Sequence, residues 1–215
     1  MSVIHELVEG NPAVSETTTS TSTPSATHSV ADPAPLGLAG FAMTTFILSF
    51  LNADIIKETA GGTVVLGLAF FYGGLAQLLA GMWEFKRGNT FGATAFSSFG
   101  AFWLSVWGIN KWGAGGDAHQ TMGLYFFAWF IFTGYMTVAA LRTNLAVLAV
   151  FVLLTITFLF LALGAWQNAK NGDVASLTKV GGYVGIVTAV AAWYASFAAV
   201  ANETHKKQLL PTWPR

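Results

Sequence analysis

Residues 145–166 read LAVLAVFVLLTITFLFLALGAW, an apolar run without a single charged side chain. An α-helix needs about 20 residues to cross the hydrocarbon core of a bilayer, and this run has that length. Its flanks are polar, with Arg142 shortly before it and Asn168 shortly after it. The stretch therefore predicts a transmembrane helix.

The composition extends this interpretation to most of the chain. Of its 215 residues, 54% are hydrophobic and 9% are charged, whereas soluble globular domains carry about 25% charged residues. A soluble chain of this length has too little interior to bury so much apolar surface. Membrane lipid is therefore the predicted surrounding of most side chains.

Further apolar runs, separated by short polar breaks, predict five more helices. They span about 36–56, 62–83, 90–110, 121–141 and 179–201. Residues 121–166 are divided into two helices because a single helix of that length would be about twice as long as the membrane is thick. The predicted fold class is an all-α polytopic membrane protein with six transmembrane helices.

The ends of the chain differ from this helical part. Residues 1–31 are rich in serine and threonine and cannot bury enough apolar area to fold, so they predict a disordered tail. Residues 32–203 are the predicted six-helix transport domain, and residues 204–215 are a short second tail. The termini and the loops on their side of the membrane hold six Lys and Arg residues, whereas the loops on the other side hold four. Because cytoplasmic loops carry an excess of positive charge, this count favours both termini in the cytoplasm of a multi-pass plasma-membrane protein.

Tryptophans near the ends of predicted helices are typical of side chains that anchor a helix at the membrane interface. This interpretation covers Trp83, Trp103, Trp107, Trp112, Trp166 and Trp193. Stacking on a ligand is the less favoured alternative for each of them.

The second predicted helix carries small residues at every seventh position. They are Ala60, Gly67, Gly74, Gly81 and Gly88. Such a stripe lets two helix backbones approach closely. It predicts a packing seam, either within one protomer or between subunits.

Polar side chains at helical spacing run along three predicted helices. On helix 90–110 they are Thr90, Thr94, Ser97, Ser98 and Ser105, and on helix 36–56 they are Thr45, Ser49 and Asn52, which share a face with Phe41. Gln77 lies in the middle of helix 62–83, where its amide needs a partner or water. Together they predict a hydrated path between the helices, and hydrogen bonding that only joins helices is the alternative.

Fixed charge is missing from this predicted interior. Apart from Lys179 at the first position of helix 179–201, no Lys, Arg or His falls inside a predicted helix, which excludes an arginine clamp for a dicarboxylate and an intramembrane carboxylate–histidine relay. Glu84 is the acid nearest the path, although it could simply pair with Lys86 or Arg87. A path lined by neutral donors suits weak binding and fast passage of a small anion.

Several other classes of protein are not predicted. The chain has no cysteine, no nucleophile–base pair and no nucleotide-binding loop, so it predicts neither an enzyme nor a cofactor or metal site. It also lacks a dense basic stretch, and nucleic acid is therefore not an expected partner.

Two stretches resemble the acetate uptake transporter family, the succinate–acetate permeases. The first has the family signature NPAPLGL in the form Asp32, Pro33, Ala34, Pro35, Leu36, Gly37 and Leu38. The second reads FYGGLAQ over 71–77 and continues as GNTFG over 88–92 and TAFSSFG over 94–100. The resemblance implies a homo-hexamer with one path in each protomer. It also implies that acetate, and in some members succinate, is carried together with protons.

The resemblance also implies site residues. It implies a hydrophobic constriction made by Phe41, Phe99 and Leu154. The resemblance and the polar stripes together predict the residues that line the substrate path, namely Thr44, Thr45, Asn52, Tyr72, Gln77, Glu84, Asn89, Thr90, Thr94, Ser97 and Ser98. The chain departs from the family pattern at Asp32, where the family has Asn, and at Phe99, where Tyr is frequent. The first change adds a charge near the mouth of the path, and the second removes a hydroxyl from its narrowest point.

Three functions remain open on the sequence. The chain could be a proton-coupled carrier of acetate and related small carboxylates, a passive anion channel of the same fold, or a membrane sensor or assembly protein that transports nothing. The lack of buried titratable groups favours the channel, whereas the family resemblance favours the carrier.

Overall fold

The computed structural model describes residues 30–113, 117–167 and 174–215, and within these ranges the chain is helical with no strand. Its helices are α1 (Ala34–Asn52), α2, α3 (Thr90–Trp112), α4 (Ala118–Ala140), α5 (Leu145–Gln167) and α6 (Ser176–His205). Helix α2 joins α-helical Glu58–Phe70, a π-helical turn Phe71–Ala76 and α-helical Gln77–Arg87 without a break. The six predicted helices are confirmed. The predicted disordered tail, apart from its last two residues, lies outside the described residues.

Five of these helices are long and apolar enough to cross a membrane, namely α1, α4, α5, α6 and residues 62–87 of α2. Helix α3 has 23 residues, which is also sufficient length. Its hydroxyl residues dilute its apolar character, as the stripe on helix 90–110 predicts. Because α3 packs along α2 in the same bundle, we assign it as the sixth span.

The helices form a ring in chain order. Each helix packs on the next, and α6 returns to pack on α1. The backbones of α3 and α4 make few contacts, and aromatic side chains fill the space between them. The ring centroid of Trp129 on α4 lies 5.8 Å from that of Phe99 and 5.1 Å from that of Phe102, both on α3. The hydrophobic core is therefore the aromatic interior of the ring.

The predicted glycine seam of α2 packs within the protomer, against α3. A Cβ on Gly81 would lie 2.3 Å from Ser97 Oγ, and a Cβ on Gly100 of α3 would lie 2.7 Å from the backbone nitrogen of Leu78. The two backbones can approach this closely only because both positions lack a side chain. A Cβ on Gly67, nearer the start of the stripe, would meet no atom of another helix within 4 Å.

A tight turn connects α2 to α3 and brings polar groups together. Gly88 ends α2 with a φ of 75°, a left-handed conformation that glycine adopts at little cost. Asn89 then caps α3, since its side-chain oxygen accepts a hydrogen bond from the backbone nitrogen of Gly92 at 3.1 Å. Glu84, Arg87 and Asn89 consequently lie at one end of the ring.

Candidate functional site

Three cavities lie along the centre of the helix ring. The largest has a volume of about 200 Å³ and opens at the end of the ring where α2 turns into α3. We call it the vestibule. Its walls are Ala34, Leu38, Glu84, Asn89, Phe91, Gly92, Ala95, Phe96, Thr143, Asn144, Val147 and Phe151.

The other two cavities continue from the vestibule toward the opposite end. The middle cavity, of about 20 Å³, shares Leu38, Ala95, Phe96 and Phe151 with the vestibule and adds Phe41, Gln77, Phe99, Val150 and Leu154. The far cavity, of about 30 Å³, begins at Phe41 and Leu154 and is otherwise lined by Thr45, Leu48, Ser49, Asn52, Phe102, Trp103, Thr157, Phe158 and Leu161. A single water needs roughly 10–15 Å³ of cavity volume, so the middle cavity has room for one or two waters and the far cavity for two or three. The path is closed in this conformation.

The predicted constriction residues meet between the middle and far cavities. Phe41, Phe99 and Leu154 are 4%, 3% and 4% exposed, and the ring centroids of Phe41 and Phe99 are 5.9 Å apart. Phe99 is also surrounded by further aromatic rings, those of Trp129, Phe132, Phe151 and Phe158. Opening this layer therefore requires several packed rings to move together.

Gln77 supplies a polar group to the middle cavity. It follows directly on the π turn of α2, is 1% exposed, and its Oε1 has no hydrogen-bond partner within the described residues. Leaving a buried acceptor without a partner costs about 1–3 kcal/mol. Such turns are frequent at functional sites, and the free oxygen is available to a ligand that can donate a hydrogen bond.

A buried carboxylate lies in the wall of the vestibule. Glu84 is fully buried, and its Oε2 accepts a hydrogen bond from Asn89 Nδ2 at 2.9 Å and lies 3.8 Å from Arg87 Nη1. The same Arg87 nitrogen contacts Asp32 Oδ1 at 2.5 Å. Glu84 Oε1 has no hydrogen-bond partner in the described part of the chain. This arrangement leaves one carboxylate oxygen free at the mouth of the path.

The far cavity also contains unpartnered polar atoms. Thr45 Oγ1 and Trp103 Nε1 are buried and without a hydrogen-bond partner among the described residues. Thr157 faces the same cavity and bonds to Thr188 at 3.3 Å. Trp103 is 2% exposed, so its prediction as an interfacial anchor is wrong. Its spacing of four residues from Phe99 places both on the inward face of α3.

The predicted path residues divide into two groups. The first group lines the three cavities and consists of Thr45, Asn52, Gln77, Glu84 and Asn89. The second group does not line them and consists of Thr44, Tyr72, Thr90, Thr94, Ser97 and Ser98.

Packing between helices accounts for three members of the second group. Thr44 donates to the Gly40 carbonyl at 2.8 Å and contacts Gly73, and Ser97 lies against Gly81. The backbone carbonyl of Tyr72 lies against Gly40. Thr90 is exposed, and Thr94 and Ser98 are half-buried. The aromatic residues that α3 contributes to the walls of the three cavities are Phe91, Phe96, Phe99, Phe102 and Trp103.

The signature residues shape the start of α1. Pro33 and Pro35 flank its first residue, and Asp32 Oδ1 accepts a hydrogen bond from the backbone nitrogen of Ala34 at 3.0 Å. The carbonyl of Pro35 accepts a hydrogen bond from Ser196 Oγ at 2.7 Å, which joins α1 to α6. Gly37 lies against the ring of Phe96. The motif thereby fixes the wall of the vestibule that Leu38 completes.

Thr143, Asn144 and Thr157 are polar cavity residues that the sequence did not single out. The turn before α5 gives no sign of lying at a cavity, because a polar pair there is ordinary for a loop. Across the described ranges, no group of three or more His, Asp or Glu side chains is placed to hold a metal ion.

At the opposite end of the ring, an ion-pair cluster joins the loop after α1 to α6. Lys57 Nζ and Lys179 Nζ each lie 2.6 Å from a carboxylate oxygen of Asp54. The hydrogen bond from Lys179, followed by that from Lys57, lowers the pKa of Asp54 to about 2. The cluster is therefore charged throughout the neutral and mildly acidic range.

Comparisons with known proteins agree with this architecture. Acetate permease A of Emericella nidulans is 42% identical over 195 residues, which cover 84% of this chain and 65% of that protein. The succinate-acetate/proton symporter SatP of Escherichia coli is 38% identical over 186 residues, which cover 85% of this chain and 95% of that protein. This chain thus spans about two-thirds of the fungal relative and nearly all of the bacterial one.

A solved structure agrees with the fold as well. The structure of the bacterial acetate channel SatP superposes with a TM-score of 0.77 at 35% identity, over 85% of this chain and 99% of that one. Residues 15–214 match the GPR1/FUN34/yaaH family, which covers nearly the whole chain. The resemblance to acetate transporters is confirmed, and this chain belongs to the GPR1/FUN34/yaaH family.

Proposed function

We propose that this protein transports acetate and related small carboxylates, succinate among them, across the plasma membrane through the centre of each six-helix ring. The observation that supports this most is the line of three cavities, in which each cavity shares wall residues with the next and the layer of Phe41, Phe99 and Leu154 separates the middle cavity from the far one. The names of the relatives, an acetate permease and a succinate-acetate/proton symporter, support the same class of substrate.

The closed layer favours passage of a small solute that sheds its water. Transferring a carboxylate into a dry apolar layer costs several kcal/mol, whereas the neutral acid avoids most of that cost. The free Oε1 of Gln77 beside the layer can accept a hydrogen bond from the O–H of a carboxylic acid. This geometry favours movement of the carboxylate together with a proton.

Glu84 is the best-placed group to exchange that proton. Among the residues that line the three cavities it is the titratable one, and its Oε1 is unpartnered within the described ranges. A protonated Glu84 can donate to an incoming carboxylate, whereas an ionised Glu84 repels it. We therefore propose proton-coupled transport with Glu84 as the exchanging group.

A passive anion channel is the second candidate, and one observation favours it. The described walls between Glu84 and the far cavity carry hydroxyls, amides, an indole and aromatic rings but no second titratable group. A proton would therefore have to travel on the substrate itself or on water. The comparable solved structure is called an acetate channel.

Uptake of radiolabelled acetate into proteoliposomes, with and without an imposed pH gradient, separates these functions. Proton coupling predicts that a gradient drives accumulation above the equilibrium level. A passive channel predicts uptake that stops at equilibrium, after correction for the acetic acid that crosses protein-free vesicles. A sensor or assembly protein predicts no uptake beyond that of protein-free vesicles, which would refute the proposal.

We further propose that the vestibule faces the cytoplasm and that protomers assemble as homo-hexamers. Basic residues concentrate at the vestibule end of the ring, where Lys86, Arg87, Arg142, Lys206 and Lys207 lie, and positive charge is typical of cytoplasmic loops. Labelling of a cysteine introduced at exposed His205 in intact cells tests the orientation. We expect no labelling by an impermeant reagent until the membrane is permeabilised. Native mass spectrometry in detergent tests the hexamer.

A further inference from the structure

The last residues of the chain return across the vestibule end of the ring. After α6 ends at His205, Lys206 adopts a φ of 52° and the chain reverses direction. Asn202 then holds the returning segment, since its Oδ1 accepts hydrogen bonds from the backbone nitrogens of Leu209 and Leu210 at 2.7 and 3.0 Å. Its Nδ2 donates to the Leu210 carbonyl at 2.8 Å. We call residues 208–215 the C-terminal strap.

The strap is fixed a second time at its middle. Tyr194 of α6 donates its hydroxyl to the Pro211 carbonyl at 2.6 Å, and its ring stacks on that of Trp213 with centroids 6.3 Å apart. Trp213 has a φ of 50°, which is unusual for a bulky side chain. Such a conformation persists only where the surroundings hold it in place, so the strap has one specified course.

The far end of the strap caps helix α5. The first backbone N–H groups of a helix have no partner inside the helix. Here the Trp213 carbonyl accepts from the backbone nitrogen of Leu145 at 3.1 Å, and the Thr212 carbonyl accepts from that of Ala146 at 3.5 Å. The third backbone nitrogen of the helix, that of Val147, donates a hydrogen bond to Asn144 Oδ1 at 2.9 Å. Two of the three capping groups therefore come from the strap.

The same contacts hold one wall of the vestibule. The backbone nitrogen of Arg215 donates to the Thr143 carbonyl at 3.1 Å, and Asn144 pairs with Pro214 as an isolated antiparallel bridge. Thr143 and Asn144 line the vestibule together with Glu84. The strap itself lies outside that cavity, so it acts on the cavity only through the turn before α5.

We propose that the C-terminal strap is a positioning element for transport, which holds the Thr143–Asn144 turn against the vestibule and thereby sets the width of the mouth. Without the strap, the backbone N–H groups of Leu145 and Ala146 lose their protein acceptors and hydrogen-bond to water instead. The Thr143–Asn144 turn also loses the contacts that hold it from outside. The vestibule then widens and holds a small carboxylate less well. The transport part of this proposal rests on the function proposed above.

The test compares the full chain with a chain truncated after Lys207 and with the single variant Asn202→Leu. Lys207→Ala is the matched control, because this exposed side chain adjoins the strap and forms no hydrogen bond or ion pair within the described ranges. We expect the apparent KM for acetate uptake to rise roughly three- to tenfold in both strap variants, as the loss of one or two hydrogen bonds would give. Maximal uptake per folded protein and the control should stay near wild type.

A second measurement does not depend on transport. The chain has no cysteine, so Val147→Cys in the vestibule wall provides a single reporter thiol. We expect a charged methanethiosulfonate reagent to label it several-fold faster when the strap is deleted or Asn202 is replaced. A wild type that carries no acetate, combined with this faster labelling, would refute the proposed function but retain the strap as a positioning element.

Two outcomes would overturn the inference. One is an unchanged labelling rate and an unchanged KM in both strap variants. The other is a loss of uptake that matches a loss of folded protein, with KM and labelling rate unaltered, because that result would make the strap a contribution to stability alone.

Discussion

The aromatic ring centroids of Phe99 and Phe41 lie 5.9 Å apart at the centre of the six-helix ring, and both side chains are almost fully buried. Leu154 completes the layer between the middle and far cavities. The narrowest point is therefore built of side chains that have no hydrogen-bonding group. On the proposed function, we expect a solute to cross this layer by displacing the aromatic rings rather than by hydrogen-bonding to them.

Replacement of Phe99 by Ala should widen the layer and admit larger carboxylates such as benzoate. Because Phe-to-Ala changes in packed cores cost roughly 3–5 kcal/mol, Phe99→Leu serves as a milder second variant. The measurement is uptake of a series of carboxylates of increasing size into proteoliposomes. Phe197→Ala, at a position that is 62% exposed, is the control. Unchanged size selectivity in both Phe99 variants would remove Phe99 from the constriction.

Replacement of Gln77 by Leu should impair transport without preventing assembly. The change keeps the side-chain volume and removes the free acceptor beside the layer, so we expect acetate uptake to fall about tenfold, which corresponds to about 1.4 kcal/mol. Leu79→Ala, which lies on the same helix and is 57% exposed, should transport normally. Wild-type uptake by Gln77→Leu, with an unaltered elution volume in gel filtration, would show that the amide takes no part.

Replacement of Glu84 by Gln should uncouple transport from the pH gradient. The amide keeps the shape and the hydrogen-bonding capacity of the site but cannot exchange a proton at working pH. We expect acetate to equilibrate across the vesicle membrane but not to accumulate. Glu203→Gln is the control, since Glu203 is exposed and lies outside the three cavities. Full gradient-driven accumulation by Glu84→Gln would assign proton coupling to another group.

The ion pairs of Asp54 give a pH dependence of stability that can be measured. Its pKa is lowered to about 2, so its contribution is complete above the ordinary pKa near 4 and is lost as the pH falls toward 2. We expect Asp54→Asn to lower the melting temperature by the same amount between pH 7 and pH 5. The difference should shrink below about pH 4. Tryptophan fluorescence during heating in detergent measures it, and a difference that already disappears by pH 5 would contradict the assigned pKa.

Helix number and helix bounds were accessible from the sequence, because hydrophobic length alone determines which segments cross a bilayer. The sequence did not show which face of α3 points to the centre of the helix ring. Helical period shows which residues share a face, but it does not show which face turns to the centre of a ring. Ser97 can lie against Gly81 in a helix–helix contact as readily as in a hydrated path.

Other features depend on contacts between distant parts of the chain. In the sequence, Trp103 lies near a predicted helix end and is typical of an interfacial anchor. Only the packing of the six helices into a ring shows that it lines the far cavity. The contacts of Asn202 with Leu209 and Leu210 require the chain to reverse after α6. The family resemblance supplied the constriction residues, which the structure brings together, although periodicity alone would not have selected Leu154.

The most direct test of the central claim is to block the layer between the middle and far cavities chemically. Leu154→Cys places the single thiol of the chain in that layer, and Val152→Cys, at a position that is 41% exposed, places one on the outside of the same helix. Acetate uptake is measured before and after complete modification with a methanethiosulfonate reagent. We expect modification to abolish uptake by Leu154→Cys and to leave Val152→Cys active. Undiminished uptake by fully modified Leu154→Cys would show that the substrate does not pass through the centre of the ring.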